Sequence, residues 1–219
     1  MCAKYLLKFN KIMILQEGFG RQMLDQRRHQ RIRFCSPPAI KIGYGGALGE
    51  GSIENLSLSG IMLRTSLALE VGHTAGCEFS LFGSPVIDVP AVVVSRVGDL
   101  FGARFQTGPI NQILLGDALN AALAEGQASI FSLHERAGRK VMRIMGGLNA
   151  TLRNDFMHAL TRVGVEEIDV EAVTAVDQGG LALCLVATRR HGAEIGAQSD
   201  CFANAWKLAL AAPGNIENI

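Results

Sequence analysis

The chain has 219 residues and almost no net charge, +1. Broad coating of DNA or of an anionic membrane needs a large basic surplus, so neither is expected and any electrostatic attraction must be local. An uninterrupted apolar run of membrane-spanning length is also missing. Near the N-terminus Tyr5, Leu6, Leu7, Phe9, Ile12, Met13, Ile14 and Leu15 are apolar, but Lys4, Lys8 and Lys11 interrupt them, and no small-residue cleavage site follows. Residues 1–24 are therefore expected to be a flexible extension, with an amphipathic interfacial helix as the alternative and Met13 or Met23 as alternative starts. There is no C-x-x-C pair among the five scattered cysteines, which fits reduced, mostly buried thiols and a cytoplasmic location. The five histidines show no metal-ligand spacing with Cys or acid. G-x-S-x-G, the phosphate-binding G-K-[ST] loop and H-E-x-x-H are all absent. No catalytic set assembles, so neither an enzyme nor a cofactor is expected.

What is present divides near Gly126. Composition is that of an ordinary globular protein, 48% hydrophobic and 19% charged. From Ile32 to Phe105 short strands alternate with turn signals. Strands are expected at 39–42, 52–55, 61–65, 77–82, 86–97 and 101–105, with a hairpin turn at Gly43-Tyr44-Gly45-Gly46. Such spacing predicts a small antiparallel barrel or sandwich. Pro109 suits the first position of a helix that places Ile110, Ile113, Leu114 and Ala118 on one face and fades toward Gly126, read as a linker. Beyond it, strands at 129–134, 140–145, 166–170 and 193–197 alternate with helices, predicting an α/β layer over 126–212 and a tail at 213–219. One helix carries Leu152, Phe156, Leu160 and Val163. The next spans 179–190. The last is capped by Ser199 or Asp200 and buries Phe202, Ala205, Trp206 and Ala209.

Two short strings stand out: Arg27-Arg28-His29-Gln30-Arg31, and Asn55-Leu56-Ser57-Leu58-Ser59-Gly60. A guanidinium is a rigid fork of donors that matches the O6/N7 edge of guanine or a pair of phosphate oxygens. An arm bearing Arg27, Arg28, Arg31 and Arg33 can bring one fork to a base edge and another to a phosphate, and can stack a third on a purine face. The Asn55 amide and Ser57 hydroxyl offer hydrogen bonds to a second polar edge, and Gly60, without Cβ, permits close approach. Asn55-Leu56-Ser57 is formally a glycosylation acceptor, but no secretory signal gives that reading a context. Cys35, close to the arm, is either a thiol activated by arginines or an inert strand cysteine.

Taken in order, these strings resemble the PilZ domain family of cyclic di-GMP receptors, whose signature is R-x-x-x-R followed by [D/N]-x-S-x-x-G on a six-stranded barrel with a C-terminal helix. Arg27 and Arg31 match the first half, and Asn55, Ser57 and Gly60 match the second. Gly102 to Phe105 resembles the family's closing strand. The resemblance covers residues 25–125. It implies a six-stranded antiparallel β-barrel, with the arginines gripping phosphates and guanine edges while Asn55 and Ser57 hold a guanine. Arg28 is an additional contact beside the motif.

The segment Ile168-Asp169-Val170 through Val176-Asp177-Gln178-Gly179-Gly180 resembles the STAS domain, in which an acidic-Ser-small-Gly turn opens a helix. Asp177 and Gly180 match, but Gln178 stands at the serine position and cannot be phosphorylated. The resemblance implies an α/β scaffold whose helix start docks a protein partner. The expected whole is an α+β two-domain chain: a PilZ-like barrel that binds cyclic di-GMP, then a STAS-like α/β domain that relays binding to a protein. Neither a nucleic-acid polymer nor a membrane span is expected. The competing reading is a ligand-independent protein–protein scaffold with a degenerate barrel.

Overall fold

The computed structural model describes residues 22–23, 30 and 32–211. Strands β1 (Gln22–Met23), β2 (Ile32–Phe34), β3 (Ala39–Tyr44), β4 (Ala47–Ser57), β5 (Gly60–Thr65), β6 (Thr74–Phe79), β7 (Ile87–Val97) and β8 (Leu100–Phe105) precede helix α1 (Pro109–Ala124). Six of them close a ring. β3 pairs with β4, β4 with β5, β5 with β8, β8 with β7, β7 with β6, and β6 returns to β3, every pair antiparallel. Closure leaves no free edge within the ring. Strict alternation supplies the barrel core: in β6 Ala75, Cys77 and Phe79 point inward, and in β8 Phe101, Ala103 and Phe105 do.

Two bulges interrupt the alternation. One lies between Ile53 and Asn55 in β4, the other between Val93 and Ser95 in β7. Each adds one residue to its strand and so re-aims the side chains beyond it. Ile53 and Leu56 are both buried, three residues apart, because Glu54 is the extra residue between them.

Helix α1 begins at Pro109, and Ala118 is buried and Leu114 half-buried as expected, but the buried stripe is turned toward Leu115, Leu119, Ala122 and Leu123. Ile110 and Ile113 are 74% and 63% exposed. The reason lies one turn earlier, where the inward stripe would reach Asn111. There Asn111 Nδ2 donates to the Asp88 carbonyl on the barrel rim at 2.9 Å, which turns both isoleucines outward.

The second half comprises β9 (Ala128–Arg136), β10 (Arg139–Leu148), a helical segment made of a 3₁₀ turn (Ala150–Leu152), α2 (Arg153–His158) and a π turn (Ala159–Val163), then β11 (Glu167–Val176), α3 (Gln178–His191), β12 (Glu194–Gln198) and α4 (Asp200–Ala211). β9 and β10 form an antiparallel hairpin; β10, β11 and β12 run parallel. One sheet face carries Met142, Ile144, Ile168 and Val170, which pack with Leu152, Phe156, Cys184, Ala187 and Phe202 from the helices. The Asp177 carboxylate caps α3 by accepting from Gly180 N at 2.7 Å, and Ser199 Oγ caps α4 through Phe202 N at 3.2 Å. The opposite face is a charged lattice. Arg136 pairs with Glu167, Arg139 reaches Glu194 at 2.7 Å, and Arg143 lies 3.8 Å from Asp169.

The two halves share a sheet. Ile32 is the pairing partner of both Leu56 in β4 and Ile130 in β9. Around Gly126 the chain is tightly packed: Gly126 has φ +69°, and a Cβ there would collide with the Ala175 side chain. Cys35 N donates to Gln127 O at 2.9 Å and Thr174 Oγ1 to Leu123 O at 2.6 Å.

Candidate functional site

The Asn55–Gly60 string occupies the end of β4, the turn, and the start of β5. Because of the Glu54 bulge, Leu56 faces the core with its partner Ile61, while Asn55 and Ser57 turn to the outer wall. The register sets up two outward rows. The first runs Ser57, Gly60, Arg104, Val92; the second runs Asn55, Met62, Gly102, Ser95. Each row contains one glycine. A Cβ on Gly60 would lie 2.5 Å from the Ala103 carbonyl oxygen, so the β5–β8 approach requires glycine there. A Cβ on Gly102 would meet Ser95 Oγ. The wall is consequently low and bare between a polar margin, Asn55 and Ser57, and a cationic one, Arg104.

Within the polar margin the two side chains differ. Ser57 is buried and its Oγ is occupied locally: it accepts from Ser59 N at 3.4 Å, donates to Gly60 O at 3.2 Å and lies 3.3 Å from Ser59 Oγ. It therefore holds the β4–β5 turn. Asn55 is half-buried, and its Nδ2 makes a weak 3.5 Å contact with Met62 Sδ. Beside them Arg64 is fully used, with Nε donating to Glu54 Oε1 at 3.0 Å and Nη1 to Asp99 Oδ2 at 2.6 Å. That contact pulls the Asp99 carboxyl below its ordinary range, and the bridge anchors the bulged residue.

Arg27, Arg28 and Arg31 lie outside the described residues, as does His29. The elements on either side fix where their segment starts and ends. Met23 pairs with His134 and Ile32 with Ile130, so both ends lie on β9, four strand positions or about 13 Å apart. Ile32, the residue that follows Arg31 in sequence, pairs with Leu56, which lies between Asn55 and Ser57.

Arg33, grouped with the arm on sequence, belongs instead to β2. Its guanidinium is held at two points by Asp155 of α2, Nη1 to Oδ2 at 3.0 Å and Nη2 to Oδ1 at 3.1 Å, so it ties the halves together and is not available to a ligand. Cys35 is not an activated thiol. It donates to Gly126 O at 3.2 Å and accepts from Asn149 Nδ2 at 2.9 Å, and desolvation, reinforced by Asp177, raises its pKa. Arg104, not singled out from sequence, stands exposed on the same outer row as Ser57 and Gly60. The string Gly102-Ala103-Arg104-Phe105 showed a closing strand, and the signal available was its alternation, which turns Arg104 out when Ala103 and Phe105 turn in.

Among the described residues no group of three or more His, Cys, Asp or Glu could hold a metal ion, and no helix is long and apolar enough to cross a membrane.

Comparison with known proteins locates the family signal on the first half. A family model for the PilZ domain matches residues 25–123. No curated protein matches the chain. Solved structures similar to it include the PilZ domain with c-di-GMP of YcgR from Escherichia coli, at 18% identity, covering 44% of this chain and 91% of that one with a TM-score of 0.39. The K. pneumonia MrkH–c-di-GMP complex is 17% identical over 47% of this chain and 53% of that one, TM-score 0.40. The PilZ domain of CeSA from a cellulose-synthesizing bacterium is 14% identical over 42% and 95%, TM-score 0.36.

Proposed function

With residues 25–123 a PilZ domain, we propose that this chain is a receptor for cyclic di-GMP that passes occupancy to a protein partner through its α/β half. The observation that carries the reading is the pairing of Ile32 with Leu56. Arg31 directly precedes Ile32 in sequence, so the arginine string is tethered one residue from a strand that lies beside Asn55 and Ser57. Arg27 and Arg31 grip phosphate oxygens and a guanine edge, with Arg28 as an added contact. The Asn55 amide takes a polar edge of the base, the Ser57 hydroxyl keeps the turn in shape beside it, and Gly60 leaves the wall open. Nothing in this scheme breaks or forms a covalent bond, so the role is that of a receptor and not an enzyme, in the cytoplasm where the second messenger is found.

Transmission runs through β2. Ile32 belongs to the barrel ladder and the β9 ladder at once, and Arg33 is clamped to α2 by Asp155. A ligand that fixes the arginine string biases this three-residue strand, provided it binds one arrangement better than another. The STAS-like half then presents the exposed start of α3 at Asp177 and Gln178 to its protein partner, without phosphorylation at Gln178. Calorimetric titration with cyclic di-GMP tests the site: wild type binds, and Arg31→Ala and Ser57→Ala lose most of the heat. Equal heats from all three proteins would overturn it.

A further inference from the structure

We infer that Arg104 is a ligand residue, a cation borne on the rigid barrel wall that holds a phosphate of the cyclic dinucleotide. This deepens the receptor reading and rests on it.

Three observations converge. The first is position. Arg104 is the direct pairing partner of Gly60 on β8, in the same outward row as Ser57, so two strand spacings, about 10 Å, separate the Ser57 and Arg104 backbones. One nucleotide laid across Gly60 touches both margins. The second is the floor. Gly60 and Gly102 carry no side chain, and only Met62 stands between the polar margin and Arg104 in the adjacent row, so nothing screens the guanidinium from a ligand seated at Asn55 and Ser57.

The third is charge. The other arginines described in the barrel half are each engaged: Arg33 by Asp155, Arg64 by Glu54 and Asp99, and Arg96 by the Phe101 ring at 5.3 Å and the Gly98 carbonyl at 3.1 Å. Arg104 is exposed and makes no hydrogen bond, ion pair or ring contact among the described residues. Neither outward row contains an acid. An uncompensated guanidinium facing a bare, acid-free wall presents a fork matched to phosphate oxygens. Being on a strand, it does not have to be ordered on binding, unlike a cation on a flexible segment.

The test is titration of the full chain with cyclic di-GMP at low and moderate salt, comparing wild type, Arg104→Ala, Arg104→Lys, Arg31→Ala and, as a control for general charge, Arg96→Ala. Arg104→Ala is expected to weaken binding about tenfold or more and to flatten the salt dependence. Arg104→Lys should recover most of the affinity, because a phosphate accepts a point charge, and Arg96→Ala should leave it unchanged. If Arg31→Ala abolishes binding while Arg104→Ala stays within about twofold of wild type, the assignment fails and the receptor reading stands. An equal loss from Arg96→Ala would reduce the effect to bulk charge and overturn it too. A lysine as poor as alanine would move the contact to a guanine edge and overturn the phosphate role. A wild type that does not bind would bring down both.

Discussion

The barrel wall and the open face of the α/β sheet are both β-surfaces rich in arginine, and they treat arginine in opposite ways. On β9, β10 and β11 every guanidinium meets an acid: Arg136 with Glu167, Arg139 with Glu166, Glu167 and Glu194, Arg143 with Asp169. Asp169 and Glu167 are buried, so the pairs they make are partly withdrawn from water and costly to break singly, whereas Glu166 and Glu194 meet Arg139 at the exposed margin. On the barrel Arg64 meets Glu54 and Asp99, but Arg104, in the outward row through Gly60, has no partner among the described residues and stands beside two glycines. A cation neutralised within the fold contributes to its shape. One left over on a bare surface is available to something that arrives.

The sharpest way to break this contrast is to remove an acid from the lattice. Asp169→Ala strips Arg143 of its acid and Glu171 N of its acceptor, and should lower unfolding free energy in urea by about 3 kcal/mol while leaving nucleotide affinity intact. An affinity loss matching the stability loss would show that the lattice belongs to the ligand site. Next in size is Gly60→Ala. Its new Cβ meets the Ala103 carbonyl, which is backbone and cannot swing away, so β5 and β8 must part at a cost of about 1–3 kcal/mol, and binding should fall with them. Retained affinity in a fully folded Gly60→Ala protein would argue that the ligand does not lie on this wall. The smallest effect separates thiols. Burial pushes Cys77 up to about 11 and Cys184 up to about 12, and raises Cys35, whereas Cys201 is exposed. Among these four thiols, mass-resolved alkylation near pH 8 should therefore mark Cys201 first, Cys35 slowly, and Cys77 and Cys184 only on unfolding. Early labelling of Cys35 would mean that the joint at Gly126 opens in solution.

Periodicity and turn chemistry made most elements legible. The alternation in Cys77-Glu78-Phe79 and the cap expected at Ser199 or Asp200 marked a real strand and a real helix. What escaped was set by contacts distant in sequence. β4 runs from Ala47, through Gly49 and Gly51, where the strand was expected only over 52–55. These two glycines are small because Leu67 and the Arg64 carbonyl lie where their side chains would be. β11 extends to Val176 because its parallel pairing with β10 continues past the expected end at Val170. On α1, Ala118 and Leu114 face inward as periodicity suggests, but Ile110 and Ile113 do not, because the rim bond from Asn111 sets the rotation of the first turn. Of the candidate residues, Asn55, Ser57 and Gly60 were visible because the motif is local. The surroundings of Arg104 and Arg33 were not, since they depend on which strand lies beside each: one is exposed on the row through Gly60, the other is clasped by an acid 122 residues away.

Ile32 belongs to two ladders, and this governs how the molecule can be dissected. A fragment ending at residue 125 would keep the closed ring but strip β2 of β9, leaving its backbone donors and acceptors as a sticky border, with Leu123 of α1 newly wetted. Such a fragment is prone to self-association. Its behaviour in solution would report on that raw border before it reported on nucleotide recognition, so binding experiments belong to the full 219-residue chain.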